Sequence, residues 1–373
     1  MNEHEPFDFH TIATQASERE ASDIHLQTGE VPFLRIHGEI EPIAFRQITN
    51  EDLASVARLV CGEKGLGLVD EIEAGAVDRS YSVSESCRLR VSIAKTLMGY
   101  TIVARLIPNS IPTIDELELP QVFKRIALAE SGFVLIGGVT GSGKSTTVAA
   151  MLEFANANHR KHVVTVEDPI EYVHKPNQCI FSRREIGHHL DHFANGLRSA
   201  LRQDPDIILV GEMRDRETMR AAIQAAETGH LVFATVHAAE VDDMPERVIG
   251  SFPEMEQPQI RQQLANTGLA FIAQKLVRRS DKEGRTAAFE ILLMNNAARN
   301  LIRSNKSFNL PSVMQTESRA GMITMTQSLI NLFQAGKIDG PTLVYNASNK
   351  ERAREVMLKD TGLDVSEPAF LDK

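Results

Sequence analysis

The 373-residue chain has no tryptophan, four tyrosines and three cysteines, and only 5% of its residues are aromatic. The cysteines, Cys61, Cys87 and Cys179, stand far apart with no C-x-x-C pair. That spacing suggests neither a disulfide framework nor a structural zinc site, and a reducing cytoplasm is the natural setting. No apolar run approaches the roughly 18 residues of a membrane span. Met1 to His10 is polar and acidic rather than basic and then apolar, so no export signal is expected. An excess of positive charge is also missing: 40 Lys and Arg face 50 Asp and Glu, a formal charge of −10. With the basic residues dispersed among acids and no aromatic-basic stripe, translocation along nucleic acid is disfavoured. What is present in quantity is apolar side chains, 42% of the total, enough for packed cores in two or three domains.

From about Phe7 to Arg105, short β-like pieces such as Val31 to Ile36 and Cys87 to Ile93 alternate with turns and a helical stretch around Glu51 to Val60. This predicts a small α+β domain over residues 1–106. Ile107-Pro108-Asn109-Ser110-Ile111-Pro112-Thr113 follows, and its two prolines discourage regular structure. A linker over 107–113 is expected, leaving the first domain able to shift against the second or lean on a neighbouring subunit. Residues 114–373 read differently. Apolar strands at Phe133 to Ile136, Val163 to Val166, Ile207 to Val210 and Leu231 to Val236 are separated by helical patterns. Val148, Met151, Leu152 and Ala155 share one helix face, as do Phe193, Leu197, Ala200 and Leu201. The alternation predicts an α/β domain with a mostly parallel sheet covered by helices.

Each of the four strands runs into polar chemistry at its carboxyl end. After the first, Gly138 to Ser145 fit G-x-x-x-x-G-K-[ST], followed by a helix from Ser145 to about Asn156. Gly138, Thr140, Gly141, Ser142 and Gly143, with Lys144, Ser145 and Thr146 at the head of the helix, are expected to bind a nucleoside triphosphate. Backbone N–H groups and the positive helix end meet the anion, Lys144 reaches the β/γ-phosphates, and the Ser145 hydroxyl can ligate Mg²⁺. After the second strand comes Glu167-Asp168-Pro169-Ile170-Glu171, after the third Gly211-Glu212, after the fourth His237. Parallel strands gather such groups at one edge, where ligands bind. Glu171 then reads as a base or water-positioner for attack on the γ-phosphate, Glu212 as a carboxylate holding Mg²⁺ through water, and His237 as a sensor of the γ-phosphate. Taken singly, the alternatives are a solvated loop acid, an acid capping the next helix, and a structural histidine.

Together these residues resemble the secretion-superfamily ATPases of the GspE-like type, and within them the PilT-type motors that retract type IV pili. Ser22-Asp23-Ile24-His25-Leu26, with Gly29, Pro32, Arg35 and Gly38, is similar to the opening of the family's PAS-like N-terminal domain. The phosphate loop matches the Walker A segment, with Val139 where proline is usual. Val163 to His174 resembles the Asp box, whose catalytic glutamate corresponds to Glu171. Leu197 to Asp206 leading to Gly211-Glu212 is like the Walker B region, and Ala226-Glu227-Thr228-Gly229-His230 through His237 like the His box. Ala297-Ala298-Arg299-Asn300-Leu301-Ile302-Arg303-Ser304 resembles the AIRNLIRE motif of retraction motors, with Ala298 for isoleucine and Ser304 for glutamate. Without the resemblance it reads as an amphipathic helix with Leu301 and Ile302 inward and both arginines outward.

The resemblance implies a RecA-like ATPase domain with C-terminal helices and a homohexameric ring using ATP and Mg²⁺. It also implies arginines that reach the γ-phosphate from an N-terminal domain, for which Arg88, Arg90 and Arg105 are the candidates; a basic strand face binding surface carboxylates is the alternative. Pilus retraction at the cytoplasmic face of an inner-membrane platform protein follows from the same likeness, with a paralogous retraction ATPase as a further partner. A PilU-like accessory, a bundle-forming-pilus relative and a conjugation or effector-secretion ATPase share most of the motifs. A nucleic-acid translocase and a small-molecule kinase are rivals of other classes.

Overall fold

Along Cys87–Thr96 the side chains of Cys87, Leu89, Val91 and Ile93 are buried and those between them are not, the period of a strand with one face on a core. The computed structural model describes residues 7–361 apart from 37, 62–75, 85–86 and 108–109. Its contacts divide the chain into two units. The first comprises residues up to Ile111 together with Asp168–Val173 and Glu185–Asp191. Its frame is a six-stranded sheet in the order β3-β2-β1-β6-β5-β4. The strands are β1 (Asp23–Gln27), β2 (Phe33–Ile36), β3 (Glu39–Pro42), β4 (Ala76–Ser84), β5 (Cys87–Thr96) and β6 (Gly99–Ile107), and all their ladders are antiparallel. Helices α1 (Phe9–Glu18) and α2 (Asn50–Cys61) bury Phe9, Ile12, Leu53 and Val56 in the core of this unit. Of the expected linker, Pro108 and Asn109 lie outside the described residues.

The second unit is built on a seven-stranded mixed sheet, β13-β12-β7-β11-β10-β8-β9. Its strands are β7 (Gly132–Gly137), β8 (His162–Glu167), β9 (Ile180–Glu185), β10 (Ile207–Val210), β11 (Leu231–Val236), β12 (Gly268–Arg278) and β13 (Arg285–Leu293). The β8–β10, β10–β11, β11–β7 and β7–β12 ladders are parallel and β12–β13 is antiparallel. β7, β10 and β11 are buried along their whole length, as helices on both faces require. The helices are α3 (Val122–Ala127), α4 (Lys144–Asn158), α5 (Phe193–Ala200), α6 (Arg216–Glu227), α7 (Asp243–Ile249), α8 (Gln257–Thr267) and α9 (Asn296–Arg303). They are followed by α10 (Leu310–Thr316), α11 (Met325–Gln334), α12 (Gly340–Asn346) and α13 (Lys350–Thr361). One core joins the sheet to α3 and α4 through Phe123, Val148, Met151 and Leu152. The other joins it to α5, α6 and α8 through Leu197, Met219, Ile223 and Leu264. In α4 burial is wider than the single expected face, since Ala149 and Ala150 are buried too. No described helix is long and apolar enough to cross a membrane.

Candidate functional site

β7 ends at Gly137 and delivers the chain into the glycine loop. Gly138 and Gly143 have φ of +151° and +86°, a region that side chains with a Cβ rarely occupy. Space forbids a Cβ at Gly138 as well, where it would come within 2.6 Å of the Gln274 carbonyl oxygen; at Gly143 it would come within 2.9 Å of Gln274 Nε2 and displace that side chain. α4 then starts at Lys144 and runs 15 residues, so its first N–H groups and its positive end face the loop. Lys144 Nζ folds back over the loop, donating to the carbonyls of Gly138 (2.8 Å) and Val139 (3.1 Å). Ser142 is buried, and among the described residues its hydroxyl has no hydrogen-bond partner. Ser145 and Thr146 are half-buried, while Thr140 and Gly141 are exposed at the turn. Gly138 to Ser142 line a cleft of about 270 Å³ together with Gln274, Lys275 and Arg285. A cationic cleft at a helix N-terminus is suited to a phosphate chain.

At the same edge β10 ends in Gly211-Glu212 and β11 in His237. Glu212 Oε1 lies 2.8 Å from His237 Nε2, and Glu212 Oε2 accepts from Arg214 Nη2 at 2.8 Å. Burial works to raise the Glu212 carboxyl, but the Arg214 guanidinium and His237 imidazole outweigh it and hold the group below the ordinary carboxylate range. Its position is set by the backbone: Gly211 N–H donates to Val166 O at 2.8 Å, and the Thr235 hydroxyl donates to Gly211 O at 2.5 Å. Two sequence-predicted residues thus meet as an acid–imidazole pair, and Arg214, two positions after Glu212, joins them. The sequence signal for Arg214 is that proximity alone.

Glu171 belongs to the first unit, because residues 168–173 pack with it. Its Oε1 lies 3.7 Å from Arg90 Nη1, both side chains being partly exposed. Arg88 is placed otherwise. Its Nη2 donates to Ser80 Oγ at 2.8 Å and stands 3.7 Å from the carboxylate of Glu185, whose side chain is 2% exposed. Glu185 also accepts from Ser80 N–H, Ser80 Oγ and Ile170 N–H, tying the segment that carries Glu171 to β4. Arg105 Nε donates to Asp23 Oδ1 at 2.9 Å, and this guanidinium is largely exposed. The three candidate arginines therefore serve three different carboxylates, and only Arg90 stands beside Glu171. Glu185 was not anticipated, since a single acid in the run Ser182-Arg183-Arg184-Glu185 carries no motif.

In α9 the outward placement of Arg299 needs correction, while Arg303 is exposed as expected. Ile302 is buried and Leu301 half-buried, as expected. The Arg299 guanidinium donates to the carbonyls of Ala265, Asn266 (2.6 Å) and Gly268 (3.0 Å). It satisfies carbonyls that the end of α8 leaves without helical partners. Arg303 is exposed and reaches Asn266 Oδ1 at 2.7 Å.

Loop, helix end and acid–imidazole pair, all at the carboxyl edge of parallel strands, define a P-loop nucleotide-binding fold. A family model described as Type II/IV secretion system protein matches residues 5–336. The chain belongs to that family. It is 40% identical over 321 residues to a twitching motility protein of Neisseria gonorrhoeae, covering 86% of this chain and 85% of that protein. To the type IV pilus retractation ATPase PilT of Pseudomonas aeruginosa it is 39% identical over 335 residues, 90% of this chain and 94% of the relative. Among solved structures, the pilus retraction motor PilT with bound ADP superposes with a TM-score of 0.85 at 38% identity, covering 93% of this chain and 99% of that one.

Proposed function

We propose that the chain is an ATP-hydrolysing motor that powers type IV pilus retraction. The observation that carries this reading is the likeness to a retraction ATPase over 90% of this chain, together with a formed phosphate loop. Lys144 and the loop N–H groups bind the phosphates. Ser145 and Glu212 are oxygen donors of the kind Mg²⁺ takes and would hold it here, Glu212 being already bonded to Arg214 and His237. Bound there, Mg²⁺ would neutralise phosphate charge. Glu171 activates the attacking water. His237, in contact with Glu212, reports γ-phosphate loss. The working form in this reading is a homohexamer at the cytoplasmic face of an inner-membrane pilus platform. Residues 1–106 form its PAS-like domain, 107–113 the linker and 114–373 the RecA-like domain, and Arg90 is the first choice among arginines acting on a neighbouring subunit's nucleotide.

Two experiments test the proposal. Lys144→Ala should abolish ATP turnover in a folded chain, since only a phosphate contact is lost; near-native turnover would remove the central claim. Deleting the gene should make surface pili accumulate while twitching stops. Unchanged pili with a defect in protein export would instead support a secretion ATPase, the competing reading carried by the family description.

A further inference from the structure

β12 runs beside β7, and in their ladder Ala273 pairs with Gly137, the last residue before the glycine loop. The next residue, Gln274, is 2% exposed at the end of the apolar run Leu269 to Ala273. A carboxamide at that depth is tolerated only with its hydrogen bonds met. Its Oε1 accepts from Thr147 Oγ1 at 2.9 Å, and Thr147 is itself buried in the first turn of α4. Its Nε2 faces Gly143, and its backbone carbonyl faces Gly138, the carbonyl close enough to exclude a Cβ. One residue thus touches both glycine ends of the loop and the head of the helix, whereas Gly141 at the loop's middle has nothing within 4 Å of its Cβ direction. Backbone N–H groups bind phosphate well only if aimed before the ligand arrives, and glycine-rich backbone has the most freedom to lose.

We propose that Gln274 is a positioning residue that holds the phosphate loop in its nucleotide-binding shape, its carboxamide accepting from Thr147 and packing against Gly143. It acts through the loop and rests on the reading of that loop as a triphosphate site. Because the loop grips phosphate before, during and after reaction, the effect should appear in affinity rather than in turnover at saturation.

The test uses the full chain and three variants: Gln274→Leu, Thr147→Val and both together. Either single change strands a buried polar group and should lower the unfolding midpoint, while the pair replaces both partners by apolar groups and should recover most of it. ADP affinity, measured calorimetrically with Mg²⁺, should not recover: the dissociation constant stays raised by about tenfold in Gln274→Leu and in the pair, with kcat at saturating ATP within about two-fold. Thr147→Val alone, which keeps the carboxamide against Gly143, should raise it less. If affinity returns together with stability in the pair, Gln274 is only a packed hydrogen-bond partner and the proposal is overturned. If the pair does not fold, Gln274→Met decides: a raised KM for ATP at unchanged kcat supports positioning and an unchanged KM refutes it. A native chain that binds no ADP would instead remove the nucleotide reading itself.

Discussion

Replacing Glu290 by glutamine should make the protein more stable at alkaline pH and change little in acid. Glu290 lies on β13 with 5% of its surface exposed. Its Oε2 accepts the Val241 N–H at 2.9 Å, in the loop that follows His237. Burial is the main influence on the carboxyl, and the nearby charges of Glu240 and Asp242 add to it; against the Val241 and Met325 amides, these push it from 4.5 up to about 7. Below about pH 4.5 the group is neutral in both folded and unfolded chains. Between about 4.5 and about 7 the unfolded chain has released a proton that the folded chain keeps, so stability falls as pH rises, and above about 7 the loss is complete. At about 1.36 kcal/mol per pH unit, that interval amounts to about 3 kcal/mol. Glu290→Gln keeps the size and the oxygen that accepts from Val241 but cannot ionise. Its advantage over the native chain should therefore grow by about 2 to 3 kcal/mol between about pH 5 and about pH 8, or about 5–10 °C in the unfolding midpoint of the second unit. Calorimetric scans of both proteins at the two pH values measure this. Parallel pH profiles would show that Glu290 is already ionised in the folded chain and that the reasoning from burial fails.

Glu171→Gln should leave ATP binding near native and cut hydrolysis by roughly 10²–10⁴, the usual contribution of a positioned base; a collapse of affinity at unchanged turnover per bound ATP would make Glu171 a binding residue. Arg88→Ala leaves the buried Glu185 carboxylate without its cation and should cost about 3–5 kcal/mol, whereas Arg90→Ala, partly exposed, should cost under about 0.5 kcal/mol and show its effect in ATP turnover. Denaturant unfolding of the first unit separates the two, and equal losses would contradict the assignment of roles. Arg299→Ala strips three carbonyls of their donor and should destabilise by about 1–3 kcal/mol, while Arg303→Ala should stay within about 0.5 kcal/mol. If Arg299→Ala unfolds like the native chain yet abolishes retraction in cells, α9 couples to a partner rather than bracing α8.

The chemistry was legible where it depends on residue type at fixed spacing. Gly138 to Ser145 must have glycines where φ is positive and a lysine and serine where phosphate and metal bind, so the pattern survives as a string of letters. The four apolar runs that became β7, β8, β10 and β11 were readable because strands buried on both faces carry nearly continuous apolar residues, broken here only by Thr165 and Thr235. β12 was harder: a long run such as Leu269-Ala270-Phe271-Ile272-Ala273 suits a buried helix as well as a strand, and only its ladders with β7 and β13 settle which. The direction of Arg299 was likewise undecidable from helical spacing, since an arginine on the polar face of a helix serves water or a neighbouring helix end equally well.

By itself, then, the sequence determined the phosphate loop, the four apolar strands whose ends carry the chemistry, and the identity of the acids and the histidine at those ends, because each is a local relation between backbone conformation and side-chain type. Only the tertiary structure decided that Glu212 meets His237 and Arg214, that Arg88 is committed to Glu185 while Arg90 stands by Glu171, and that Gln274 underlies the loop. Apart from Glu212 and Arg214, which are two positions apart, those contacts join residues tens to more than a hundred positions apart, as Thr147 and Gln274 are, and their energy comes from burial and hydrogen-bond geometry that exist only once the sheet has assembled.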